Sequence, residues 1–151
     1  MIDLLVQFIL AVFAILGFSV IFGVPIKKIP ACVIIGALGW VVYEIAVHYL
    51  ESPVVGCFAG ACVVGMLSSI CARFLKEAST VFIIPGILCL VPGFKIYNTM
   101  EALLLHNYEN TAEIGGQTLM MAGAIAIGLL VMGVIVGLFR LCFRKARGMI
   151  S

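Results

Sequence analysis

Five apolar blocks, each about twenty residues long, leave this chain few places to fold other than a lipid bilayer. They are Leu4–Val24, Ala31–Leu50, Pro53–Leu75, Val81–Leu105 and Thr118–Phe139. About twenty helical residues cross a hydrocarbon core about 30 Å thick, so each block has the length of a span. No water is available there to satisfy exposed backbone N–H and C=O groups, which makes such spans helices. A soluble fold fails on composition: 64% of the 151 residues are hydrophobic and only 11% charged, too few to form a polar shell. The expected fold is an all-α integral membrane protein of about five transmembrane segments, a single transmembrane domain over residues 1–151. A net charge of +2 argues against nucleic acid as a partner.

The first block is expected to be a retained span rather than a cleavable leader. Its only early charge is Asp3, and Lys27 and Lys28 follow it rather than precede it. Loop charges then order the segments. Lys27 and Lys28 follow the first block, Arg73 and Lys76 the third, and Arg140, Arg144, Lys145 and Arg147 the fifth. Glu51 follows the second block, and Glu109 and Glu113 lie in the polar connector His106–Gln117. Positive residues stay cytoplasmic, which here requires five crossings with the N-terminus out and the C-terminus in. The turn Glu51-Ser52-Pro53 makes the second and third spans a tight antiparallel hairpin.

Six cysteines (Cys32, Cys57, Cys62, Cys71, Cys89, Cys142) show no CxxC spacing and fall mostly in apolar runs, where they act as small hydrophobes. No metal or cofactor is expected. Gly56 with Gly60, and Gly133 with Gly137, form GxxxG pairs. These either pack the bundle's own helices or face another subunit, including a second copy of the chain.

The fourth block is interrupted at Pro85-Gly86 and at Pro92-Gly93. Pro92 lacks an N–H and its ring opposes the carbonyl of Leu88, so the helix has to kink or break there. Broken backbone at membrane depth is tolerated where it lines protein or a wet cavity, and discontinuous helices hold solutes and ions in many transporters. The candidate pathway residues are Pro85, Gly86, Pro92, Gly93, Lys95, Tyr97, Asn98 and Thr99; the alternative is a proline-kinked helix with no ligand.

Glu44 and Lys95 are the deepest charges, about 20 and 21 Å along their helical segments from the cytoplasmic side. Two readings stand. In one they approach each other or flank one wet pathway, with Lys95 meeting a substrate carboxylate and Glu44 carrying a proton. In the other Lys95 snorkels and Glu44 sits protonated. His48, four residues after Glu44 on the same face, either extends a proton relay or is solvated. Trp40 and Tyr43 read as packing residues, and Ser68 and Ser69 as hydroxyls bonded back to their own helix.

The run Thr80-Val-Phe-Ile-Ile-Pro-Gly-Ile-Leu-Cys-Leu-Val-Pro-Gly-Phe-Lys-Ile-Tyr-Asn-Thr-Met100 resembles the signature of the threonine/serine exporter family. The matching positions are Pro85, Gly86, Ile87, Leu90, Val91, Pro92, Gly93, Ile96, Tyr97 and Met100. Val24-Pro25 before a basic pair, then Gly36-Ala37-Leu38-Gly39-Trp40 and Tyr43, fit the same family over nearly the whole chain. Two positions depart from it: Cys89 stands where the family usually has proline, and Lys95 where it has a small or apolar residue.

The size resembles the family's short, C-terminal-half form. The resemblance therefore implies a subunit of a secondary exporter in a bacterial inner membrane, working with an N-terminal-half subunit on a separate polypeptide. Its implied cargo is a small amino or carboxylic acid: threonine and serine, or succinate, towards which the positive charge of Lys95 would shift preference. The alternative is a non-transporting accessory subunit that stabilises or gates its partner. An enzyme is not expected, because no nucleophile–base pair or acid cluster stands out beyond the loose Glu44/His48 pair. No phosphate-binding glycine loop is present for ATP.

Overall fold

A computed structural model describes the backbone from Ile2 to Gly148 and the side chains of residues 6–139. The described residues form six α-helices: α1 (Ile2–Ile21), α2 (Ile29–Leu50), α3 (Pro53–Leu75), α4 (Thr80–Leu88), α5 (Gly93–Leu104) and α6 (Tyr108–Gly148). A single 3-10 turn, Ile26–Lys28, leads into α2. The described residues contain no strand.

Length and apolarity qualify α2, α3 and α6 as membrane spans, and α4 with α5 make a fourth if the bent pair counts as one. The apolar stretch Val6–Ile21 of α1 is shorter. Five crossings need both the bent pair and α1 to traverse the bilayer. The side chains of Arg140, Arg144, Lys145 and Arg147, and of Cys142, lie outside the described residues.

Helices α2, α3 and α4 form the centre. Helix α1 packs on α2 and α4, α6 packs on α3, and α5 packs on α6 alone. Ile15, Cys32, Ile35, Cys57, Ala61, Val64, Phe82 and Leu90 make up most of the buried core. Small residues let the central backbones approach. A Cβ on Gly60 would meet the Gly39 carbonyl oxygen at 2.9 Å and collide with Leu90, and one on Gly56 would lie 2.6 Å from Val47. The Gly56–Gly60 pair therefore serves the α2–α3 contact within the chain. Gly65 and Gly128 do the same between α3 and α6: a Cβ on Gly128 would sit 3.0 Å from both Ala61 and the Phe58 carbonyl oxygen. The second pair differs, since nothing lies within 4 Å of a Cβ on Gly133 or Gly137.

Two sequence expectations need correction. Pro85-Gly86 does not interrupt the fourth segment, because Pro85 is accommodated inside α4, which continues to Leu88. A proline withholds the N–H that would bond the carbonyl four residues earlier. Here that carbonyl, Val81, instead accepts a weak bond from the Cys32 thiol at 3.7 Å. Breakage is confined to residues 89–92, where the axis bends by 55°. The other correction concerns His106–Gln117, which is not an irregular connector. Helix α6 starts at Tyr108 and runs 41 residues, about 61 Å at 1.5 Å per residue. Asn107 caps it: its carbonyl accepts the Thr111 N–H at 3.0 Å and the Thr111 hydroxyl at 2.7 Å. Packing of α5 against this first stretch gives it a tertiary reason to stay helical.

Candidate functional site

The residues expected to share one pathway are distributed over three places. Pro85 and Gly86 are buried where α4 crosses α2, with a Gly86 Cβ position 3.7 Å from the Gly36 Cα. Pro92 and Gly93 occupy the bend. Pro92 caps α5, its carbonyl accepting the Ile96 N–H at 3.0 Å, and Gly93 keeps a negative φ in open space. Lys95, Asn98 and Thr99 belong to the α5–α6 hairpin. Lys95 Nζ donates to Gln117 Oε1 at 2.7 Å, and the Thr99 hydroxyl donates to the Lys95 carbonyl at 2.7 Å. The Thr99 methyl packs beside Gly115, and Asn98 lines a cleft of about 390 Å³ with Glu101, Asn107 and Asn110. Tyr97 is exposed.

Glu44 does not pair with Lys95. It faces α1, where Gln7, with its amide turned to donate, places Nε2 2.9 Å from Glu44 Oε1 and 3.2 Å from Oε2. The ion pair found among the described residues lies elsewhere, between Lys28 and Glu77. His48 is exposed and stands edge-on to Tyr49 at a centroid separation of 5.8 Å, with no hydrogen bond to Glu44.

Beside the Gln7–Glu44 contact lies a cavity of about 260 Å³. Its walls are Gln7, Leu10, Ala11, Ala14 and Phe18 of α1, Trp40 of α2, and Cys89 at the start of the bend. Cys89 is held there by a weak thiol bond to the Ala11 carbonyl at 3.9 Å. Trp40 precedes Glu44 by one helical turn, so both present to the same side of α2. The ring of Trp40 leans on Tyr43 with centroids 5.1 Å apart, and its indole N–H is buried with no acceptor. Buried donors are normally satisfied, and an orphan of this kind costs about 1–3 kcal/mol unless something meets it.

Thus Gln7 of α1, Trp40 of α2 and Cys89 at the bend of the fourth segment line one cavity. The geometry suits the holding of a small solute, since a few polar groups are set in a mostly apolar wall. No three His, Cys, Asp or Glu side chains among the described residues converge as metal ligands, and the five described cysteines are free.

Comparison with known proteins assigns the family. Residues 7–135 match the family model described as threonine/serine exporter, ThrE. The chain belongs to the threonine/serine exporter family. A multi-pass membrane bundle with exporter-type transport as its family function is therefore the setting of the cavity. An uncharacterized protein of Haemophilus influenzae (strain ATCC 51907 / DSM 11121 / KW20 / Rd) is 28% identical over 144 residues. That match covers 89% of this chain and 48% of the relative, so the chain spans about half the length of the curated relative it matches. No solved structure matches.

Two of the cavity's polar residues, Gln7 and Trp40, were not among the sequence candidates. Gln7 carried a signal: it is the one polar residue between Leu4 and Phe18. Trp40 carried another in its spacing, one turn before the deepest acid on the same face. Neither spacing identifies a cavity until α1 is packed against α2.

Proposed function

We propose that this exporter-family chain is one half of a secondary exporter for a small amino or carboxylic acid, completed by a partner polypeptide in a bacterial inner membrane. The observation that carries the reading is the cavity at the 55° bend, where Gln7, Trp40 and Cys89 meet beside Glu44. A broken helix next to a solute-sized cavity is the arrangement on which many secondary transporters build their solute sites. Five crossings with the N-terminus out gain support from the Lys28–Glu77 pair, which holds the basic loops after α1 and α3 at one end of the bundle. A complementary half is supported by the relative, which is about twice as long as the match. The unfilled side of α6 around Gly133 and Gly137 supports it too.

Within this scheme Glu44 is the proton-coupling group, the carboxylate at membrane depth beside the cavity. Pro92 and Gly93 supply the joint. Lys95, Asn98 and Thr99 fasten the moving arm α5 to α6, and Tyr97 lies on its exposed side.

The test is efflux from cells preloaded with labelled threonine, serine or succinate. It compares this chain, its partner, and the two together. Efflux of one solute only with both chains present is expected, with its pH dependence abolished by Glu44→Gln. Full efflux from the partner alone would reduce this chain to an accessory subunit.

A further inference from the structure

Helix α5 is built inside out. Its polar side chains Lys95, Asn98 and Thr99 turn towards α6, where Lys95 meets Gln117 and Thr99 packs beside Gly115. Its apolar side chains turn away: Tyr97, Met100 and Leu104 are 64%, 57% and 76% exposed, with Phe94, Ile96 and Leu103 flanking them. An amphipathic helix normally buries its apolar stripe. Within the chain nothing packs on this one, since α5 touches α6 alone.

Lipid does not cover the stripe. Helices α3 and α6 run side by side in the same direction, with Ala61 beside Gly128 and Gly65 beside Met132. That register sets Pro53, the first residue of α3, level with Met120. Residues 108–119 of α6 therefore rise about 18 Å past the α2–α3 turn, at about 1.5 Å per residue. Exposed Glu109 and Glu113 belong to this stretch. Helix α5 runs beside it from Lys95 onwards, so Met100, Leu103 and Leu104 stand at the height of those carboxylates. A height at which glutamates face outwards is a height of water, and there an apolar face is covered by protein.

We infer that this face is where two copies of the chain meet, α5 against α5, about a two-fold axis normal to the membrane. Three properties select a second copy. The first is direction. Copies inserted with the same topology are related by an axis normal to the bilayer, and α5 runs along that normal with α6. Two α5 helices at the axis are then parallel and in register. The second is spacing. Gly93, Tyr97, Met100 and Leu104 follow one another at four, three and four residues, the repeat on which parallel helices pair with a left-handed twist. Nothing lies within 4 Å of a Cβ on Gly93, which leaves the end nearest the bend open to close approach.

The third property is charge. Glu101 is the one charge bordering the seam, and in a parallel pair it faces Ile96 of the second copy rather than its own counterpart. Lys95 lies on the opposite side of α5, held by Gln117. The face thus complements itself without setting like charges together. Each α5 leads directly out of the 55° bend, so the pairing ties the bends of two copies to each other.

The test is disulfide cross-linking in native membranes, on the full-length chain with its native cysteines replaced. Single cysteines at Met100 and at Leu104 should each give a homodimer on mild oxidation, because paired Cα atoms of such a seam lie within disulfide reach, about 7 Å. Cysteines at Asn98 and Glu113, which sit on other faces, should leave the chain monomeric. Differently tagged copies carrying cysteine at Tyr97 and at Leu104 should not join to each other, since seven residues set them about 10 Å apart along a parallel pair. Leu104→Glu should lower the Met100 cross-link at least about tenfold while the chain stays inserted at the parent level, because it buries a carboxylate in the seam. If that variant fails to insert, the cysteine positions on the unaltered seam still decide. Joining of Met100 to a different polypeptide, equal cross-linking at Glu113, or joining of Tyr97 to Leu104 would overturn the pairing. Reaction of the Met100 cysteine with a lipid-confined thiol reagent alone would overturn it too, by placing the stripe in the bilayer.

Discussion

Gly36 of α2 and Gly86 of α4 lie against each other where the two helices cross, so close that a Cβ on Gly36 would stand 3.0 Å from the Gly86 Cα and 2.6 Å from Ile15 Cδ1. Three helices meet at that point, because Ile15 belongs to α1. The crossing seats α4 in the core and fixes where its C-terminal end, and with it the bend, reaches the cavity. Gly36→Val should therefore separate backbones that cannot repack around it. A loss of about 1–3 kcal/mol is expected, read as a lower thermal midpoint in detergent. A midpoint equal to the parent's would mean that the crossing is looser than described.

The two prolines of the fourth segment should behave differently. Pro92→Ala returns an N–H where the chain breaks and removes the ring opposing the Leu88 carbonyl, so α4 and α5 should move towards one continuous helix. Spin labels at Ile84 and Met100, both exposed, would then separate, and efflux should fall. Pro85→Ala only restores a bond inside a helix that already forms, and the label distance should stay put. Equal distance changes in both variants would refute the separation of roles.

The Lys28–Glu77 pair predicts sidedness. In a background with its native cysteines replaced, single cysteines at Lys28 and Glu77 should resist a membrane-impermeant thiol reagent in intact cells. Cysteines at Glu51 and Glu109 should react. Glu77→Gln itself should cost less than about 1 kcal/mol, as a partly exposed pair contributes little. Labelling of positions 28 and 77 on opposite sides would sink the five-crossing scheme.

Leucine substitutions at the two GxxxG pairs separate self-packing from assembly. Gly60→Leu should destabilise the chain itself, because Leu90 and the Gly39 carbonyl already occupy the space. Gly133→Leu meets nothing in this chain, so its thermal midpoint should hold while co-purification of the partner is lost. Retention of the partner in Gly133→Leu would move the interface elsewhere.

Lys95→Met removes the bond to Gln117 that helps clamp α5 on α6. Hydrogen exchange in α5 should quicken, since no other helix of the chain covers it and none of its residues is buried. Unchanged exchange would show that Thr99 on Gly115 and the Asn107 turn hold the hairpin without the lysine.

What sequence alone determined is the part of the protein decided by local and one-dimensional physics. Apolar length marked the helices and their environment. Pro92 marked the break, since a missing N–H disrupts a helix whatever surrounds it. Glu51-Ser52-Pro53 marked the tight turn, and the depth of Glu44 singled it out as a costly charge. Matters of partnership were decided only by tertiary structure. Pro85 looked equivalent to Pro92, but Val81's freed carbonyl finds the Cys32 thiol on a neighbouring helix, so α4 continues through it. Lys95 and Glu44 have matching depths, yet depth fixes one coordinate of three, and the bend carries Lys95 to Gln117 while α1 brings Gln7 to Glu44. The two GxxxG pairs read alike until packing filled one and left the other open. Trp40 acquired its place in the cavity only when α1 and the bend closed around it, because a cavity is made of residues remote in sequence and has no signature along the chain.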